Sequence, residues 1–179
     1  VRDVVLTHLH YDHAGNIGAF PAATFHVQEA EVNYATGRCM CYEPMRHAYS
    51  VDDVVDVVRN VYADRVSFHN GDATIAPGVE LLLIGGHTMG LQSVRVHTRR
   101  GWVVLASDAS HYYENMEKAK PFPIVYNVAH MLEGHQRLYR EADSPQHLVP
   151  GHDPLVLTRY PKWPGDEHGI ACLHLPPSV

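Results

Sequence analysis

Six residues near the start of the chain constrain it more than any other feature. His8-Leu-His10-Tyr-Asp12-His13 follows directly on the apolar run Val4-Val5-Leu6, so a buried strand ends in a histidine-rich loop. In an extended segment the side chains at i and i+2 project to one side, and His8 and His10 can therefore grip one ion. Asp12 and His13 fall where the chain turns, which redirects them toward a second ion a few ångströms away. In a chain of this composition, with 15 His among 179 residues, the pattern His-x-His-x-Asp-His arises by chance only about 0.006 times.

The remaining donors are marked by punctuation. Gly85-Gly86-His87-Thr88-Met89-Gly90 follows the apolar strand expected at 79–84, and the glycines let the backbone fold closely around an imidazole. Asp108 comes directly after a strand expected at 102–106; its two oxygens can bridge two cations, which a neutral imidazole does less readily. Pro150-Gly151-His152-Asp153 follows a short strand at 148–149. Five neutral imidazoles and two carboxylates around two divalent ions leave a net charge of about +2, suited to holding a hydroxide. His26, His47, His69, His97, His130, His135, His147, His168 and His174 read as surface or structural. His111 stands apart because it lies three residues after Asp108.

Periodicity predicts a short helix at 16–20, a strand at 24–27 and a helix at 29–35 ended by Gly37. Ser50 with Asp53 three residues on is a capping-box-like start to a helix with Val51, Val54, Val55, Val58, Val61 and Tyr62 at helical spacing. Strands at 79–84, 93–97 and 102–106 form an antiparallel meander, a helix at 128–142 carries Met131, Leu132 and Leu138, and a Pro-rich tail closes the chain. Strands interleaved with helices without regular βαβ alternation predict a layered α+β fold, taken as a single domain over 1–179. With 45% apolar and 19% charged residues the chain can bury a core, and disorder is excluded. A formal charge of −6 without a basic run argues against nucleic acid and anionic membranes as partners, and no apolar stretch approaches the ~18 residues of a membrane span. Three cysteines, with Cys39 and Cys41 two apart and Cys172 distant, give no disulfide framework and suit a cytoplasmic location. The chain opens at Val1, inside a strand and without an initiator Met, so it reads as truncated and leaves export open.

Thr7-His-Leu-His-Tyr-Asp-His-Ala-Gly-Asn16, Gly86-His87-Thr88, Ser107-Asp108 and Gly151-His152, in that order, resemble the metallo-β-lactamase superfamily. Within it, Asp108-Ala-Ser, Glu114-Asn115, Gly86-His87-Thr88-x-Gly90-x-Gln92-Ser93 and Pro150-Gly-His-Asp153 are similar to the N-acyl homoserine lactonase branch. The resemblance implies a four-layer αβ/βα sandwich with two zinc ions at one edge of its sheets. His8, His10 and His87 would bind the first ion, Asp12, His13 and His152 the second, and Asp108 would bridge them. It further implies attack of a metal-bridging hydroxide on the carbonyl of a small-molecule lactone, with Asp12 shuttling a proton to the leaving alkoxide. Another lactonase or a glyoxalase II-like thioesterase is the same-class alternative, and a non-catalytic metal-binding protein the one from a different class. A homodimer remains open. Asp108 stands where class B β-lactamases have Cys, which argues against penicillin-type substrates.

The chain departs from this branch in two places. The branch has a Tyr three residues after the bridging Asp, whereas here His111 is followed by Tyr112 and Tyr113, and one of the three is expected to take that catalytic place. The segment 40–72 is long for the branch, and Cys41, Tyr42 and Met45 could line an apolar substrate pocket, with Phe20, Met116 and Phe122 as comparable substrate-binding candidates. Relatives of this type carry most strands of the first sheet before the histidine motif. All but one of those strands are absent here, and the chain alone is expected to fold poorly for want of a partner to one core face.

Overall fold

Strand-forming runs alternate with amphipathic segments throughout, and the computed structural model, which describes residues 1–165 and 169–178, places them in two sheets with helices against each. The order is β1 (Asp3–Val5), α1 (Tyr11–Ala14), β2 (Thr24–Gln28), α2 (Glu29–Thr36), α3 (Glu43–Arg46), α4 (Val51–Tyr62), β3 (Val66–His69), β4 (Ala73–Ala76) and β5 (Val79–Leu83). There follow β6 (Gln92–Thr98), β7 (Gly101–Leu105), α5 (Tyr113–Glu117), α6 (Val128–Glu141), β8 (Leu148–Val149) and α7 (Leu155–Arg159). The first sheet is parallel with strand order β1-β2-β3, and the second has the order β4-β5-β6-β7-β8. In the second sheet β4 to β7 are antiparallel neighbours, as the expected meander requires, and β8 joins β7 in parallel.

Two apolar cores follow from this layering. Leu6, Phe25, Val27, Ala35 and Val57 pack together, so α2 and α4 cover the first sheet. Leu91, Val104, Met116, Leu138 and Leu148 form the second core, where α5 and α6 cover the second sheet. This is the α+β sandwich with helices outermost. The seam between the sheets is polar and fully buried: the Gln92 side-chain amide donates to the carbonyls of Leu6 and His26, and Gln28 donates to the Gln92 amide oxygen at 2.9 Å. Buried amides are tolerated only when satisfied, so this pair sets how the two sheets dock.

The helix at 51–62 begins where expected, with the Asp53 amide donating to the Ser50 hydroxyl. Its buried stripe differs from the expected one. Val57 is buried and Val54 packs beside it, while Val51, Val55 and Tyr62 are exposed. Valines occupy so many turns of this helix that two apolar stripes coexist in the sequence, and only tertiary packing selects between them. No helix among the described residues is long and apolar enough to cross a membrane.

Candidate metal centre

β5 and β7 both run antiparallel to β6, and β8 runs parallel to β7, so the C-terminal ends of β5, β7 and β8 lie at one edge of the second sheet. The loops leaving those ends carry His87, Asp108 and His152, and the loop after β1 brings His8, His10, Asp12 and His13 to the same place. Gln92 fastens the two halves, its backbone amide donating to the Thr7 carbonyl at 2.9 Å.

His8 Nε2, His10 Nδ1 and His87 Nε2 form a buried triangle with sides of 3.0, 3.1 and 3.2 Å. Four ligands at about 2.0–2.1 Å around a tetrahedral ion are about 3.3–3.4 Å apart, so these three nitrogens nearly fit one cation. The protonation states agree. His87 Nδ1 lies 2.6 Å from the Ile124 carbonyl, which can only accept; the ring proton therefore sits on Nδ1 and leaves Nε2 a free lone pair aimed at the triangle. Burial holds His8 well below the usual imidazole range, lowers His10 to about 3 and lowers His87 to about 4, so all three are neutral at pH 7.

Asp12, His13 and His152 make a second, more open triad, with Asp12 Oδ2 3.5 Å from His13 Nε2 and 3.7 Å from His152 Nε2. Asp108, which is 3% exposed, divides its carboxylate between the two sets. Oδ2 lies 3.5 Å from His87 Nε2 and 3.9 Å from His8 Nε2, while Oδ1 lies 3.2 Å from both His13 Nε2 and His152 Nε2. Asp108 Oδ1 and His13 Nε2 are buried without a hydrogen-bond partner among the described residues. Such orphaned groups are costly unless something else satisfies them, and a cation in the second triad would satisfy both. Burial pushes the Asp108 carboxyl up, but His111, His13 and His8 more than reverse it and keep it ionised well below the usual carboxylate range. Burial likewise pulls His13 down, and the Asp108 carboxylate, then Asp12, turn the balance upward. Among the described residues, every group of three donors close enough to hold an ion is drawn from these seven residues and His111.

Residues outside the histidine motif hold this arrangement. Glu31, at the start of α2 and wholly buried, accepts through Oε1 from the Leu9 amide at 3.0 Å and the Tyr49 hydroxyl at 2.9 Å, and through Oε2 from the Thr88 hydroxyl at 2.5 Å and the Gly90 amide at 3.2 Å. Leu9 separates His8 from His10 and Thr88 follows His87, so one carboxylate ties together both loops of the first triad. Burial raises its pKa despite the four donors. Tyr49 also places its ring edge-on to His10 at 4.6 Å. The Thr7 hydroxyl lies 3.2 Å from His8 Nδ1 and 3.4 Å from His13 Nδ1, the nitrogens facing away from the two triads, and it accepts from Ser107. Gly86 has φ of +90° and leaves no room for a side chain, since a Cβ there would lie 2.6 Å from the Met131 backbone. Gly151 is held as tightly, with a Cβ position 2.8 Å from the Ser107 carbonyl.

Of the expected substrate and catalytic residues, Phe122 and His111 reach the centre: their rings stack at 3.5 Å, and Phe122 also leans on His87 at 5.2 Å. Tyr112 is exposed beside His111. Tyr113 and Met116 instead enter the second core, because α5 turns them toward the sheet, and Phe20 packs against the first core. From the segment 40–72, Met40 lines a cavity of about 210 Å³ with Tyr49, Val51, Val54 and Val55. Cys41 and Tyr42 face solvent, and the Tyr34 hydroxyl donates to the Met45 sulfur. Among the remaining histidines, His135 is buried and lies 2.9 Å from the carbonyl of Ala109, next to Asp108, while His26 contacts His69 and Asp3. His168 lies outside the described residues.

The layered fold and the seven donors at one sheet edge define a class, and comparison with known proteins agrees. Residues 1–160 match the metallo-beta-lactamase superfamily, to which the chain therefore belongs. An N-acyl homoserine lactonase of a Bacillus species is 34% identical over 122 residues, covering 66% of this chain and 42% of the relative. A probable metallo-hydrolase of Mycobacterium tuberculosis is 28% identical over 181 residues, covering 86% of this chain and 55% of the relative. The chain thus spans about half the length of these relatives. Among solved structures, an N-acyl homoserine lactone hydrolase with N-hexanoyl-L-homoserine bound at its catalytic metal centre superposes with a TM-score of 0.69 at 29% identity, covering 86% of this chain and 56% of that one.

Proposed function

We propose that the chain carries the metal centre of a dinuclear hydrolase that opens the ring of an N-acyl homoserine lactone. The observation that carries this reading is the division of the Asp108 carboxylate, one oxygen to the buried triad and one to the open triad. The lactonase relatives supply the substrate class. His8, His10 and His87 would hold one divalent ion, zinc by the family resemblance alone since imidazole and carboxylate donors accept other divalent metals too, Asp12, His13 and His152 the other, and Asp108 both. Bound there, the two ions would polarise the ester carbonyl and lower the pKa of a water.

The chain's own residues supply the rest. Neutral imidazoles and an ionised Asp108 give the donor set its charge, and burial of the first triad excludes bulk water from one side. As water oxygen bonds to the carbonyl carbon, the ring C–O bond breaks and the proton given up by the water must reach the leaving alkoxide. Asp12, in the more exposed triad, would carry it. Phe122 and Tyr112 both lie against His111.

The test is proton release from hexanoyl-homoserine lactone by protein expressed from its full reading frame and loaded with zinc, with Asp108→Ala as control. Turnover abolished by the substitution is expected. Two bound ions without ring opening would sink the lactone assignment and favour a thioester substrate.

A further inference from the structure

His111 is not one of the seven donors that the family resemblance implies, yet it is as close to Asp108 as any residue of the centre. Its Nε2 lies 2.9 Å from Asp108 Oδ2, the same oxygen that faces the buried triad, and its ring centre lies 5.7 Å from that of His87. His87, Asp108 and His111 together offer three donor atoms close enough to share one ion. The ring has little freedom: it stacks on Phe122 at 3.5 Å and 13°, and its backbone carbonyl is anchored by the His152 amide at 3.0 Å. A spacing of 2.9 Å also matches adjacent ligands of a five- or six-coordinate ion, which at bond lengths of about 2.1 Å lie about 3.0 Å apart.

We propose that His111 is an eighth donor, binding through Nε2 the ion held by His8, His10, His87 and Asp108. An ion in the buried triad would then have four imidazole donors rather than three. Phe122 acts as the positioning residue that keeps the imidazole facing inward. This inference rests on the dinuclear reading above.

Cadmium-113 loading of ¹⁵N-histidine-labelled protein separates the two, because a nitrogen bonded to the metal is split by the ¹¹³Cd nucleus. Two cadmium ions per chain and six split imidazoles are expected, with His111→Phe retaining both ions and losing one split signal. Two ions with five split imidazoles, the His111 Nε2 signal being unsplit, would overturn the eighth donor and leave the dinuclear reading intact. Fewer than two ions would overturn both. The wild-type count alone decides the matter should the variant fail to fold.

Discussion

Exchanging Glu31 for Gln alters one atom of a side chain that touches no candidate ion, and the structure predicts a large effect. The carboxylate accepts from four donors, two on each oxygen. An amide keeps one accepting oxygen and turns its NH2 group toward one hydroxyl, which can rotate to accept, and one backbone N–H, which cannot. The one donor left unsatisfied costs about 1–3 kcal/mol. That is a sizeable part of a typical domain's stability of about 5–15 kcal/mol. Thermal or urea unfolding of metal-free protein measures it, since the network needs no ion. At about 2–4 °C per kcal/mol for a chain of this size, a loss of about 2 kcal/mol lowers Tm by about 4–8 °C. Glu29→Gln makes the same charge change on the exposed side of the same turn and should stay within about 0.5 kcal/mol of the parent. A loss under about 1 kcal/mol for Glu31→Gln would refute the claim that this carboxylate clamps the two loops.

Further predictions concern protons, ligand orientation and space. In metal-free protein, His8, His10 and His87 are held neutral, so below pH 6.5 the unfolded chain binds protons that the folded one does not. Folding stability should therefore fall as the pH drops below 6.5, with about 1.4 kcal/mol per pH unit as the most that any one imidazole can contribute, measured by urea unfolding at several pH values. A flat profile would show that these rings are not held neutral. Thr7→Val removes the hydroxyl facing His8 Nδ1 and His13 Nδ1 and should weaken metal binding about 10–100-fold in a chelator competition. Gly151→Ala forces a Cβ against the Ser107 carbonyl and should cost about 1–3 kcal/mol in chemical denaturation; no change would mean the loop has slack.

What the sequence showed of this centre depended on how local each signal is. His8, His10, Asp12 and His13 fall within six residues, and His87, Asp108 and His152 each come after a recognisable strand, so the seven residues that meet at the sheet edge could be singled out without coordinates. Glu31 was not. It sits 22 residues from Leu9 and 57 from Thr88, and an acid in the first turn of a helix is equally explained by the helix dipole, as Glu29 beside it shows. Thr7 stood out only as the first residue of the family motif, and Tyr49 gave no signal because its partners are distant in sequence. The strands β3 and β4 have four residues each, too few for alternation to register against their polar neighbours. In α4 the Val-rich composition carried the helix but not its buried face. Phe20, Tyr113 and Met116 illustrate the same limit: an apolar residue near a motif in sequence is as readily core as pocket.

The central claim is that one carboxylate joins two metal-binding triads, and counting tightly bound zinc per chain tests it most directly. The parent protein is expected to hold two ions. Asp12→Ala combined with His152→Ala should hold one, His8→Ala combined with His10→Ala should hold one at most, and Asp108→Ala should weaken both sites together. A parent that binds a single ion, or an Asp108 variant that keeps two with unchanged affinity, would contradict the account.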